Sequence, residues 1–103
     1  MTKIIYKEDL DILVVEKQDY ENYSETLELD GFVLDLDNKQ EFLSLEIMDV
    51  SQKVPLSKKE LEDIEEVEVE FEKKEDYIRI SVTFNLDEGK SVISSQYPKT
   101  ALA

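Results

Sequence analysis

The side chains able to do chemistry in this chain are few in kind and many in number. Asp and Glu total 26 against 12 Lys and Arg, and the 103 residues include no histidine, cysteine or tryptophan. Ser-His-Asp and Cys-His sites cannot be assembled, because the base that activates the nucleophile is missing. Zinc and iron lose the imidazole and thiolate ligands they favour. Only Gly31 and Gly89 are glycines, so no Gly-rich phosphate loop exists. What remains is carboxylate, lysine, tyrosine and serine chemistry. Two carboxyl groups can cleave a glycoside when one gives a proton and the other attacks or activates water. In so acidic a chain, however, carboxylates pair by chance, and 103 residues leave little length for an ordinary cleft. This inventory predicts a protein that is not an enzyme, with no cofactor and no metal.

Two acidic patterns merit a closer reading. Asp35-Leu36-Asp37-Asn38 begins like an EF-hand loop, and Glu46 falls at its closing position. Lys39 then occupies a ligand position and Gln40 stands where the sharp turn needs glycine, and the flanks alternate like strands where helices are required. An acidic hairpin turn is the better reading. The second pattern is Glu66, Glu68, Glu70 and Glu72, the last three alternating with Val69 and Phe71. On a strand these acids share one face, a candidate partner-binding surface. Lys58 and Lys59 open the preceding helical segment and Glu65 and Glu66 sit near its end, the reverse of what a helix dipole prefers. Local helix stability therefore did not select those charges.

The elements that hold these residues read mainly as strands, with apolar residues at every second position. Ile4 and Tyr6 alternate in a first strand, and Ile12 to Val15 is an apolar run rich in β-branched residues, which suggests cover on both faces. Asp30-Gly31 is a type I′ hairpin signal, which sets Leu29 opposite Phe32 and Leu27 opposite Leu34. A turn centred on Asn38-Lys39 then sets Leu34 opposite Leu43 and Phe32 opposite Leu45. Ser57 and Glu60 form a capping box, with Leu56 and Leu61 at the hydrophobic-staple positions, and predict one short helix over 57–65. From Val67 the period returns to two. A four-residue loop over 73–76 would pair Phe71 with Ile78 and Glu70 with Arg79. The expected fold is α+β but mainly β: an antiparallel sheet or meander of about six or seven strands with one short helix. It forms a single domain over 1–103, with a meander at 3–53, a helix-plus-hairpin extension at 54–90 and a weakly structured tail at 91–103.

The first half resembles a widespread prokaryotic family of short β-meander proteins known only as a domain of unknown function. The resemblance rests on Lys3-Ile4-Ile5-Tyr6, Asp11, Leu13-Val14-Val15, Gly31-Phe32-Val33-Leu34-Asp35 and Leu45-Glu46-Ile47-Met48-Asp49-Val50-Ser51. Ser44 departs from the family pattern, which has glycine there. The resemblance implies a small β-meander, no established activity, and, from members paired with small toxin-like proteins, an antitoxin role.

A formal charge of −14 with one arginine repels phosphate backbones and anionic membranes, so neither direct nucleic-acid binding nor membrane association is expected. No segment is long and apolar enough for a signal peptide or a span, and the lack of cysteine suits a reducing compartment. The expected location is cytoplasmic. The expected function is an acidic, non-enzymatic protein-binding module for a basic partner, antitoxin-like or inhibitor-like. The alternative is an acidic divalent-cation-binding or purely structural protein. A homodimer through sheet edges is a further expectation.

Overall fold

The structure, a computed structural model, describes residues 2–98. Eight strands form two antiparallel sheets. β1 (Thr2–Lys7), β2 (Ile12–Lys17), β3 (Tyr23–Leu29), β4 (Phe32–Asp37) and β5 (Phe42–Met48) make the first. β6 (Glu66–Lys73), β7 (Tyr77–Leu86) and β8 (Gly89–Pro98) make the second. Two short helices, α1 (Val50–Lys53) and α2 (Lys58–Glu62), link the sheets. The mainly β, antiparallel expectation holds. The strand number exceeds six or seven, and a second helix turn appears at Val50, where only the motif around Ser51 had drawn notice.

The first sheet runs β1-β2-β5-β4-β3 and is not a simple meander. β3, β4 and β5 are joined by hairpins, while β2 pairs with β5, which makes a Greek key. The connection at 18–22 crosses the sheet's end to reach β3. Hairpin signals are local and reveal nothing of the β2–β5 pairing, which joins residues more than 25 positions apart, such as Glu16 and Ser44.

Asp30 and Gly31 both have positive φ, as a type I′ turn demands, and Leu29–Phe32 and Leu27–Leu34 pair as expected. The next hairpin differs. Its loop is Asn38-Lys39-Gln40, with Gln40 in the left-handed region at φ 61° and the Asp37 amide bonded to the Glu41 carbonyl. A bulge follows, so Leu34 faces Leu45 and Phe32 faces Ile47, two residues beyond the expected register. The terminal hairpin shifts likewise. The Lys74 amide bonds to the Tyr77 carbonyl around a two-residue turn, which pairs Phe71 with Ile80, Glu70 with Ser81 and Glu72 with Arg79. Glu70 is therefore not the partner of Arg79. A shift of two keeps each side chain on its own face, so hydrophobic alternation cannot detect it.

Leu34 and Leu45 are fully buried and Ile80 is 2% exposed. They join Leu13, Val15, Ile47, Val82 and Phe84 in one core between the sheets, with Leu61 buried in it and Ile64 packed against it. β2 is not covered on both faces: Leu13 and Val15 are buried, Ile12 and Val14 half-buried. Residues 91–98 are not a weak tail but most of the ten-residue β8, paired with β7 along its whole length. Residues 99–103 of the expected tail lie outside the described residues.

Candidate functional site

Where α2 and the β7–β8 turn approach each other, a cleft of about 500 Å³ opens, lined by Lys59, Glu60, Asp63, Glu65, Leu86, Asp87 and Glu88. That volume is within the range of small-molecule sites. The capping box fixes one wall: Ser57 Oγ accepts from the Glu60 amide at 3.2 Å, and Glu60 Oε1 accepts from the Ser57 amide at 3.0 Å. Leu56 and Leu61 are buried beneath it, as the staple requires. The opposite wall is a two-residue turn, Asp87-Glu88, closed by the Leu86–Gly89 pair. Gly89 sits at φ 138°, a conformation that L side chains rarely adopt. The Glu65 amide donates to the Asn85 carbonyl at 3.0 Å and so ties the segment after α2 to the β7 end.

Glu65 and Asp87 thus line the same cleft. The Glu65 carboxyl is held above the ordinary carboxylate range, first by a hydrogen bond to Asp87 that exists only in its protonated form, then by the charge of Asp87, then by burial. A raised carboxyl favours its protonated, donating form, and a neighbouring carboxylate can accept, which is the division of labour of acid–base sites. Lys59 supplies the cleft's one cationic group, and Glu60 is already engaged at the cap.

A second polar arrangement lies on the outer face of the first sheet. Asp35 Oδ1 accepts from Thr26 at 2.6 Å, and Oδ2 accepts from Tyr20 at 2.6 Å and Ser44 at 3.0 Å. Partial burial pushes the Asp35 carboxyl up, but the hydroxyls of Thr26, Tyr20 and Ser44 outweigh it and leave it below the ordinary range. The Tyr20 phenol is pushed up to about 12, chiefly by its bond to Asp35. With Thr26 donating to Asp35, Tyr23 donates to Thr26 at 2.7 Å, and the Tyr20 and Tyr23 rings stack at 6.4 Å. This network is satisfied throughout. Its effect is to pin the 18–22 connection to the sheet. Asp37, the other half of the EF-hand-like start, accepts from the amides of Lys39 and Glu41 and forms the turn. Among the described residues no group of three or more acids is arranged to hold a metal ion.

The sequence-predicted acids occupy the outer face of β6. Glu66, Glu68 and Glu70 are exposed opposite Asn85, Thr83 and Ser81. Glu72 is half-buried, salt-bridged to Arg79 and, at 3.3 Å, to Lys74. These bonds hold the Glu72 carboxyl below the ordinary range. The Glu65–Asp87 pair was missed because the two acids are 22 positions apart. Only the correct β6–β7 register brings Glu65 to the end of β7, and the expected register was two residues off.

No family model and no solved structure matches this chain. A protein of Methanosarcina mazei named "Putative hypoxanthine phosphoribosyltransferase" is 27% identical over 71 residues. The match takes in 69% of this chain and 58% of that protein, so the chain spans less than two thirds of the relative's length. The relative is named as an enzyme. That overturns the expectation of a non-enzymatic protein-binding module, antitoxin-like or inhibitor-like, together with its cation-binding or structural alternative. The absence of histidine and cysteine had led to that expectation, but acid–base chemistry by carboxyl groups needs neither. Among the described residues no helix is long and apolar enough to cross a membrane.

Proposed function

We propose that this chain is part of an enzyme acting on a purine base, and that Glu65 and Asp87 hold the base and handle its proton. The observation that carries the reading is a cleft of about 500 Å³ lined by both Glu65 and Asp87, with the Glu65 carboxyl held above its ordinary range by Asp87. The likeness to the Methanosarcina protein supplies the substrate class. Hypoxanthine presents an N–H donor beside a carbonyl acceptor on one edge. A carboxyl pair bearing one proton offers one acceptor and one donor, so the two edges are complementary. Leu86 gives the cleft an apolar surface for the ring.

The phosphate-bearing half of a phosphoribosyl transfer is a different matter. A net charge of −14 repels a diphosphate, and the single arginine is engaged with Glu72. In this reading the chain contributes the base side of the site. Titration of hypoxanthine into isotopically labelled protein, followed by amide NMR, tests it. Shift changes should centre on Glu65 and Leu86 to Glu88, and they should vanish in Asp87→Ala. Changes scattered over the surface, or none at millimolar ligand, would refute the assignment.

A further inference from the structure

Two sheets in one chain leave four edge strands: β1 and β3 on the first sheet, β6 and β8 on the second. An unpaired edge is a template for another strand, and proteins guard such edges with charge, bulges or short length. Three of the four are guarded. β6 carries Glu66, Glu68, Glu70 and Glu72. β3 carries Glu25 and Glu28 and has a register irregularity between Tyr23 and Glu25. β1 is six residues long and carries Lys3 and Lys7.

β8 has none of these protections along its middle. It runs ten residues, Gly89–Pro98, in unbroken register with β7. In a chain that is 37% charged, its one ionisable side chain apart from Tyr97 is Lys90, and Pro98 stands at the very end. Val92 on its outer face is 61% exposed. An open gap of about 350 Å³ separates Ile93, Ser94, Ser95 and Tyr97 from Asp30, Phe32 and Lys53 of the other sheet. Among the described residues no backbone hydrogen bond beyond the β7–β8 ladder involves β8.

We propose that β8 pairs antiparallel with β8 of a second copy of this chain, which joins two three-stranded sheets into one of six strands. The strand is self-complementary. A two-fold axis at Ile93 sets Ile93 against Ile93 on the inner face and Val92 against Ser94 on the outer face. It sets Lys90 against Gln96, so no charge meets a charge. The same operation centred on Val69 of β6 would set Glu68 against Glu70 and Glu66 against Glu72. Like charges directly opposite destabilise a sheet, so the charge pattern excludes self-pairing at β6 and permits it at β8. The acidic face of β6 lies two strand spacings away, roughly 10 Å, which is close to the Debye length at about 0.1 M salt. Two copies at −14 each repel, and salt screens that repulsion. The dimer therefore tightens as salt rises, opposite to an association driven by charge attraction.

Sedimentation equilibrium of the full chain at low and moderate salt is the test, with two variants. The wild type should dimerise with an affinity that rises with salt. Val92→Lys with Ser94→Lys sets lysines opposite lysines on both sides of the axis. It should lose dimer affinity by about tenfold or more, a modest demand of about 1.4 kcal/mol, with unchanged circular dichroism. Val92→Lys with Ser94→Glu sets opposite charges across the axis and should remain dimeric. A wild type that is monomeric at every concentration overturns the proposal, as does a double-lysine variant that dimerises like the wild type. A Lys/Glu variant as monomeric as the double-lysine one overturns the pairing about Ile93. None of these outcomes depends on whether a purine base binds the cleft.

Discussion

Asp11 gives the sharpest quantitative test of how the fold is held. It ends the β1–β2 turn with φ 54°, and its carboxylate reaches 40 positions ahead to α1. Oδ1 accepts from the Ser51 amide at 3.1 Å and Oδ2 from the Ser51 hydroxyl at 2.6 Å, while its carbonyl accepts from the Val50 amide at 3.1 Å. Asp49, the residue at the N-cap position, makes no side-chain cap of its own. The cap is thus supplied from another part of the chain. Losing a side-chain cap costs about 1 kcal/mol, and losing the left-handed tolerance of aspartate costs a further ~1–2 kcal/mol. Asp11→Gly keeps the backbone freedom and loses the carboxylate, so it should cost about 1 kcal/mol. Asp11→Ala loses both and should cost roughly 2–3 kcal/mol. Asp11→Asn keeps the conformation and one acceptor and should lie closest to wild type. Urea melts give these differences directly, and in a domain of this size about 1 kcal/mol lowers Tm by ~4–8 °C. A double-mutant cycle of Asp11→Gly with Ser51→Ala should show coupling of about 0.5–1 kcal/mol. Zero coupling, or Ala no worse than Gly, would refute the argument.

Three other outcomes follow from the same geometry. Glu72→Gln should remove stability that is present above the usual glutamate range and is lost as pH falls through the lowered folded value, because Lys74 and Arg79 hold the folded carboxyl low; the pH profile of thermal melting checks it. Asp35→Ala strands the hydroxyls of Thr26, Tyr20 and Ser44 and should cost about 1–2 kcal/mol in urea melts. The Asp35 contribution, like that of Glu72, should fade as pH drops below the ordinary carboxylate range. Gly31→Ala should cost roughly 1–2 kcal/mol by thermal melting, since φ is +84° and the new methyl would displace Lys53 Nζ from its 2.7 Å bond to the Met48 carbonyl.

The parts of this fold visible in the sequence were those governed by local chemistry. Ser57 and Glu60 announced α2, Asp30-Gly31 announced its hairpin, and alternation assigned Leu34, Leu45 and Ile80 to the core. Register was legible only to within two residues, since Leu34 reaches the same face whether it meets Leu43 or Leu45. The chain also hides its turns. With two glycines to spend, it puts Asp11, Asn22, Asp30, Gln40 and Asp49 at positive φ. Asp and Asn tolerate that region better than most residues do. Gln40 gave no such signal, so the Asn38–Gln40 loop and the bulge after it went unforeseen. Long-range features fared worst. The β2–β5 pairing, the Asp11 cap on Ser51 and the meeting of Glu65 with Asp87 each join distant segments, and no local pattern encodes them.

The central claim is that Glu65 and Asp87, which line one cleft, form the base-binding pair. Calorimetric titration of hypoxanthine as a function of pH tests it most directly. In this proposal Glu65 donates from its protonated form. Affinity should therefore fall as pH rises through the raised Glu65 value. Asp87→Asn removes the groups that raise that value and should move the fall to lower pH. An affinity that falls with rising pH, and falls earlier in Asp87→Asn, is the predicted result. Affinity that ignores pH, or is identical in the variant, would contradict the account.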